Sequence, residues 1–410
     1  MTHPSLTAFQ YRNFRLLWFG QLFSLAGSLM QNATILWHVS LLVPPEQKGL
    51  ALGLVGLVRV LPIIFFSLVS GVAADALDRR KLMLLTQTGM TLTAISLAVV
   101  TFGGVTNVWP IYLLTAINAA FTSFDGPARQ ALLPNLVPRE HLPNAISLYS
   151  IVMHAASVLG PTLGGLIIAG WGVAWVYAFN AISFVAVIGG LLAMREVAAK
   201  PNGDKADFSL SAMGDGLRYV FSAPLIRSSM FLDFFATFFS SATALLPIFV
   251  QDILKVDETG YGLLYSATAL GALGASLVMA RVSDQIQRRG QVLLWSVMVY
   301  GLATVVFGFS KDFWLTFACL AVSGASDTVS TVIRNVIRQL STPDHLRGRM
   351  TSVNMIFFMG GPQLGELEAG AVASWLGAPF SVISGGLGCL LATAIIAWRT
   401  PALRNYRQHD

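Results

Sequence analysis

Apolar stretches of about 20 residues, the length that carries a helix across the hydrocarbon core of a bilayer, recur along the chain between short polar turns. Twelve such spans are predicted, at roughly 16–42, 50–74, 82–104, 108–131, 143–170, 173–194, 225–250, 260–282, 291–310, 313–338, 350–374 and 379–399. Turns such as Val43-Pro44-Pro45 and Leu376-Gly377-Ala378-Pro379 join most of them. One long polar stretch separates six spans from six. The pattern predicts an all-α membrane protein: an N-terminal six-helix bundle over 1–195, a linker over 196–224 and a C-terminal six-helix bundle over 225–410. Alternating apolar and polar residues from Phe208 to Phe221 predict a short interfacial helix in the linker.

The two sets of six echo each other. Gly160-Pro161-Thr162-Leu163-Gly164 returns 201 residues later as Gly361-Pro362-Gln363-Leu364-Gly365. Asp75, Arg79 and Arg80 return 209 residues later as Asp284, Arg288 and Arg289, and Glu140-His141-Leu142 returns after 204 as Asp344-His345-Leu346. Three echoes in one order at nearly one spacing indicate an internal duplication. In a membrane protein that predicts two bundles related by a pseudo-two-fold axis along the membrane normal, an arrangement suited to alternating access.

Polar residues interrupt four spans with helical spacing. Gln21, Ser24, Ser28, Gln31 and His38 fall on one stripe of the first. Thr115, Asn118, Thr122, Asp125 and Arg129 do so in the fourth, Ser229 or Met230, Asp233, Thr237 and Ser240 in the seventh, and Ser323, Asp327, Ser330 and Arg334 in the tenth. The striped spans are thus every third one. A polar face on a helix in lipid must meet water or another polar face, and the four are expected to line one central cavity. Charges at membrane depth cost about 2.5–3.5 kcal/mol each on insertion scales, which marks Asp125, Asp233 and Asp327 as candidate proton-coupling groups. Gln31, His38, Asn118, Thr122, Thr237 and Arg334 are candidate substrate contacts.

Arg59 lies about 14 Å into the second span, and Glu366 and Glu368 lie about 9–12 Å from the same face in the eleventh. Two positions apart on a helix point about 200° apart, so the two glutamates cannot share one partner. Arg59 is expected to pair with one of them across the boundary between halves as part of an outer gate, leaving the other carboxylate for proton coupling. Gly160, Pro161, Gly164 and Gly165 in the fifth span remove a backbone donor and side-chain bulk, so that helix can bend and admit a close neighbour.

Composition supports the membrane reading. Of the 410 residues 55% are hydrophobic and only 11% charged, against about 25% charged in a soluble domain. The first apolar run is too long for a signal peptide and reads as the first span. The net charge of +6 reflects topology, not nucleic acid: 22 of the 26 lysines and arginines lie in the termini and alternate loops. That asymmetry predicts a multi-pass protein of the inner or plasma membrane with both termini in the cytoplasm. Cys319 and Cys389 sit in apolar runs and are expected to pack, not to bridge.

The residues Gly71-Val72-Ala73-Ala74-Asp75-Ala76-Leu77-Asp78-Arg79-Arg80-Lys81 resemble the loop between spans two and three that marks the major facilitator superfamily, with Asp78 where many members carry glycine. Gly160-Pro161-Thr162-Leu163-Gly164-Gly165 is similar to its fifth-span motif associated with antiporters. Asp125-Gly126-Pro127-Ala128-Arg129-Gln130, Leu133-Pro134-Asn135-Leu136-Val137, Leu245-Leu246-Pro247-Ile248-Phe249 and Gly361-Pro362-Gln363-Leu364-Gly365-Glu366 resemble the branch of enterobactin exporters and macrolide-efflux permeases. The resemblance covers essentially the whole chain. It implies the major facilitator fold and a proton-driven exporter of a small, fairly apolar molecule such as a drug or siderophore; the protein is expected to be a monomer. By the same resemblance the loop with Gly71, Asp75, Arg79 and Arg80 governs switching between inward- and outward-open states, with Asp75 as anchor and the arginines as its partners.

Other classes fit less well. The six histidines are scattered, no zinc-ligand cluster or P-loop occurs, and neither His38 nor His154 has a matching nucleophile, so no enzyme, cofactor or metal is expected. A proton-coupled importer of a nutrient or metabolite is the alternative. It would present more paired polar groups than a seventh span carrying Phe231, Phe234, Phe235, Phe238 and Phe239, an aromatic wall that suits bulky apolar cargo. The short loops leave little surface for a scaffold protein.

Overall fold

In a bilayer every backbone N–H and C=O must find its partner inside the segment, and a helix is the local way to do so. The computed structural model describes residues 4–195, 218–343 and 346–407, with side chains for all of these except 4–6, 67–68, 71–72, 74–76, 347–349, 352 and 356. Segment 196–217, which holds most of the helix expected at Phe208–Phe221, and Asp344-His345 of the third echo lie outside the described residues.

Twelve long helices follow the twelve apolar stretches, and no strand occurs among the described residues. They are α1 (Arg12–Leu42), α2 (Lys48–Ala76), α3 (Arg79–Phe102), α4 (Trp109–Leu132), α5 (Leu142–Trp171), α6 (Val173–Ala193), α7 (Pro224–Phe239), α8 (Glu258–Val282), α9 (Arg289–Phe309), α10 (Phe313–Ser341), α11 (Arg347–Leu376) and α12 (Ala378–Arg399). Among the described residues nine stretches are long and apolar enough to cross a membrane on composition alone. The exceptions are α1, α4 and α11, which carry the polar stripes of the first and fourth spans and the two glutamates. Trp109, Trp171, Trp314 and Trp375, at helix ends far from the chain termini, are more than half exposed, as expected of an interfacial aromatic belt.

The seventh span departs from the expectation of one helix over 225–250. α7 stops at Phe239, and Ser240 takes φ −105° and ψ 24°. A 3-10 turn Ala242–Leu245, one helical turn Leu246–Ile248 and a π-helical turn Phe249–Leu254 follow, ending at Lys255 with φ +52°. Pro247 has no N–H to continue the ladder. Ser241 Oγ lies 2.6 Å from Thr237 O and 2.8 Å from Pro362 O, so one hydroxyl serves two carbonyls. Ser240, expected as the last member of a helical stripe, therefore sits in the break.

By packing the chain forms two units. The first comprises Met1–Val43, Val58–Ala206 and Asp257–Gly262; the second comprises Pro44–Leu57, Asp207–Val256 and Leu263–Asp410. In the first unit α1 packs on α5 and α6, and α3 on α4 and α6. The same pairings recur six helices later in the second: α7 on α11 and α12, α9 on α10 and α12.

The repeated Gly-Pro motif performs the same task in both units. A Cβ on Gly160 of α5 would stand 2.6 Å from Ala26 O and 3.0 Å from Leu29 Cβ of α1. A Cβ on Gly361 of α11 would stand 2.5 Å from Thr237 Oγ1 of α7, and Gly365 meets Phe238. Glycine is required because helix backbones touch there. Gly164 abuts Met30, and Gly165 abuts Gly262 at the start of α8, where an added Cβ would lie 2.9 Å from Gly262 Cα. Pro161 is buried in α5 beside them. Cys319 and Cys389 are both free and buried, and Cys389 belongs to the apolar core of the second unit with Leu293, Val297 and Ile333.

Candidate functional site

Each unit pairs an arginine on the fourth helix of its six with an aspartate. In the first unit Arg129 and Asp125 sit one turn apart on α4. Asp125 Oδ1 accepts from Gln87 Nε2 at 2.9 Å and Thr86 Oγ1 at 3.1 Å, both on α3. Its Oδ2 lies 3.6 Å from Arg129 Nη1, which donates to Gln21 Oε1 of α1 at 2.7 Å. One carboxylate and one guanidinium thus tie α1, α3 and α4 together at no net charge.

In the second unit the matching position, 205 residues on, is Arg334 of α10. Its Nη2 lies 2.8 Å from Asp233 Oδ1 of α7 and 2.7 Å from Thr331 Oγ1, and its Nη1 donates to Ser330 Oγ at 2.8 Å. Asp327, two turns earlier on α10, stands 3.7 Å away. Arg334 and Asp233 are each only 1% exposed. Two charges taken so far out of water are tolerable only as a hydrogen-bonded pair. One turn further on, Arg338 is buried as well, held by Asn335 Oδ1 at 2.9 Å and by Asn354 of α11.

The remaining stripe residues are mostly satisfied inside their own unit. Gln31 Oε1 accepts from Asn180 Nδ2 of α6 at 2.8 Å, and His38 Nδ1 shares a hydrogen bond with Tyr177 OH of α6 at 3.1 Å. Asn118 Oδ1 accepts from Thr93 Oγ1 of α3 at 3.3 Å. Thr122 is exposed and donates to Asn118 O, and Thr237 donates to Asp233 O, each one turn back along its own helix. The phenylalanines of α7 form a ladder, with Phe234 stacked on Phe238 at 5.7 Å and Phe231 and Phe234 each 6.0 Å from Phe357 of α11.

Arg59 donates from Nη2 to Asn32 O of α1 at 2.9 Å. Glu366 lies against α2, where a Cβ on Gly56 would be 2.8 Å from Glu366 Oε2. Glu368 is half-buried two positions on. Gly71 and Asp75 fall in the last turns of α2, and their side chains lie outside the described residues. Arg79 opens α3, and Arg80 Nη2 donates to Leu192 O of α6 at 3.0 Å. Asp78 caps α3, its Oδ1 accepting from Arg80 N and Lys81 N, which gives the departure from glycine at this position a local reason.

Sequence reasoning passed over the partners of these groups. Thr86 and Gln87 have no charge to mark them, and Tyr177, Asn180 and Ser183 are spaced three apart in an otherwise apolar α6, a signal that was present but faint. It also passed over Lys48, whose Nζ meets Gln251 Oε1 at 2.9 Å and both oxygens of Asp252 at 3.1 Å in the π-helical turn.

Twelve membrane helices in two six-helix repeats, each with charges paired in its interior, define a membrane transporter of the major facilitator fold. The chain belongs to the transmembrane secretion effector family, which it matches over residues 3–409. It is similar to the enterobactin exporter EntS of Escherichia coli O1:K1 / APEC, 27% identical over 362 residues covering 88% of this chain and 85% of the relative. EntS of Shigella boydii serotype 18 (strain CDC 3083-94 / BS512) gives the same figures. Among solved structures it resembles a peptide transporter POT (TM-score 0.76, 9% identity, 96% of this chain and 95% of that one). It also resembles a bacterial homologue of the human lysosomal transporter Spinster in an inward-facing, unoccupied conformation (TM-score 0.74, 13% identity, 99% of each chain). These structural likenesses are likenesses of fold.

Proposed function

We propose that this transporter carries a small, largely apolar molecule of the siderophore or drug type out of the cytoplasm, in exchange for protons, by alternating access. The observation that carries the reading is the pair of ionic clusters within membrane-spanning helices, Asp125–Arg129–Gln21 and Asp233–Arg334–Asp327, at matching places in the two repeats. A static membrane scaffold has no need of charges at that depth. Relatives named as enterobactin exporters support the direction and the class of cargo. The α7 phenylalanine ladder supports an aromatic, weakly polar cargo over a sugar or organic acid. The proton-coupling residues are drawn from Asp125, Asp233, Asp327, Glu366 and Glu368. In this reading the protein lies in the inner or plasma membrane with both termini in the cytoplasm, as its basic loops favour.

Two experiments test it. Deletion and overexpression are followed by a secreted-metabolite and resistance profile: loss of a secreted chelator under iron starvation, or sensitisation to apolar antibiotics, is expected. Loss of growth on a single nutrient, with neither of these, refutes export in favour of import. In reconstituted vesicles an imposed pH gradient should drive enterobactin against its own gradient. Movement indifferent to pH refutes proton coupling.

A further inference from the structure

The two carboxylates facing Arg334 are held unequally. Each terminal nitrogen of a guanidinium carries two N–H groups. Both of those on Nη2 are used, by Asp233 Oδ1 at 2.8 Å and Thr331 Oγ1 at 2.7 Å. Asp327 Oδ1 stands 3.7 Å from that same nitrogen, beyond hydrogen-bond reach and with no proton left to point at it. Arg334 Nε has no partner either, so the guanidinium has not turned to take the second carboxylate. Arg334 attracts Asp327 without binding it.

Their surroundings differ in the same sense. Asp233 is 1% exposed and paired through Oδ1, its Oδ2 buried with no hydrogen-bond partner. The Asp327 side chain is 45% exposed, and its contact with Arg334 spans 3.7 Å. A half-exposed carboxylate on a spanning helix meets water, because in lipid it would cost several kcal/mol. Other charged or titratable groups around it are few. Asp233 faces it from α7 and Tyr300 from α9. Arg338, further along α10, is turned to Asn335 and Asn354. α8 meets α10 backbone to backbone at Thr268 and Gly324, and between Glu258 and Arg281 its titratable side chains are tyrosines alone.

We infer that Asp327 is the exchange carboxylate: it accepts a proton and a hydrogen-bond-donating group of the cargo, a hydroxyl or a protonated amine, in alternation, while Asp233–Arg334 stays closed beside it as a fixed counter-charge. The inference rests on the proton-antiport reading above. With cargo bound, Asp327 is ionised and accepts the cargo's donor. After release a proton from the opposite side adds to the same carboxylate, forming one O–H bond, and that bond breaks when the proton leaves on the cytoplasmic side. One proton enters for each cargo expelled, and Arg334 keeps its charge and partners throughout. An acidic cargo is excluded from this position. It would seek Arg334 and be favoured by a protonated Asp327, so that proton and cargo would travel together.

The test has two arms. In purified protein, infrared difference spectra across a pH titration should show a protonated-carboxyl band that Asp327→Asn removes and Asp233→Asn leaves; this arm needs no cargo. In vesicles, with enterobactin as probe, Asp327→Asn should lose the response to a pH gradient, and Asp327→Glu, which restores a titrating carboxylate at that place, should recover it. A titrating band that survives Asp327→Asn overturns the assignment, as does a pH-gradient response that survives it. Wild-type protein that ignores the gradient overturns the functional reading instead, and the infrared arm still decides whether Asp327 carries the proton.

Discussion

Replacing Arg334 by methionine should destabilise the protein more than replacing Asp233 by asparagine, and replacing both should undo most of the damage. In Arg334→Met the Asp233 carboxylate keeps its burial and loses its cation. A buried charge stranded in this way costs about 3–5 kcal/mol. Asp327, being half-exposed, stays solvated and adds little. In Asp233→Asn the guanidinium keeps Ser330 and Thr331 as acceptors, with Asp327 at 3.7 Å. What is lost is one charge-assisted hydrogen bond, worth about 1.5–3 kcal/mol. The double variant Asp233→Leu/Arg334→Met removes both charges for side chains of similar size, and such swaps are often near neutral. The two free, buried cysteines offer the assay: a thiol-reactive dye reports their exposure as detergent-purified protein is heated. The expected order of midpoints is wild type close to the double variant, then Asp233→Asn, then Arg334→Met. A double variant no more stable than Arg334→Met alone would refute the claim that a stranded charge, not lost packing, sets the cost.

Gly165→Ala should impair assembly, because the added methyl would meet Gly262 Cα at 2.9 Å, whereas Gly126→Ala, with nothing within 4 Å, should be silent; equal yields of folded protein on size exclusion would contradict this. Gln21→Leu takes away the acceptor that Arg129 reaches at 2.7 Å and should lower stability by about 1–3 kcal/mol, since a buried donor is left unmade; an unchanged thermal midpoint speaks against it. Lys48→Asp should lower the midpoint and Asp252→Lys on top of it should restore it, by no more than about 1 kcal/mol given how exposed Asp252 is; a double variant as unstable as the single one would show that the contact contributes nothing.

The twelve helices were legible because a bilayer permits little else: long apolar stretches must close their hydrogen bonds locally. Apart from the seventh, their ends fall within about four residues of the expected positions, the usual uncertainty of such boundaries. The break in the seventh was hidden because Ser240 continues the spacing of Asp233 and Thr237, and periodicity cannot tell a polar face from a polar interruption. The stripes identified which polar residues share a helix face but not which partner each finds. Gln31 and His38 could be placed on a face of α1, yet Asn180 and Tyr177, which satisfy them, come from a helix whose polar residues are too few to stand out. Donor geometry is further from the sequence still. That Asp233 comes within 2.8 Å of Arg334 is set by how α7 crosses α10, while Asp327, on α10 itself, stays at 3.7 Å, and two aspartates in two polar stripes look alike in a sequence.

The internal pairing of polar groups bears on how such a protein can work at all. A bundle that shifts as a body during transport must carry its buried charges with their partners, because stranding even one costs as much as a good part of a protein's stability. In the first unit Asp125, Arg129 and Gln21 are linked across α1 and α4, and Gln31 and His38 are hydrogen-bonded by α6. In the second, Asp233 and Arg334 are paired across α7 and α10. None of these pairs has to open for a whole bundle to move. The paired Gly-Pro motifs act in the same direction, holding α5 to α1 and α11 to α7 through backbone contact that leaves no room for a side chain to yield. Chemistry that changes during a cycle therefore belongs to groups left out of this internal accounting, and among the charged residues of the α7 and α10 stripes Asp327 is the one so placed.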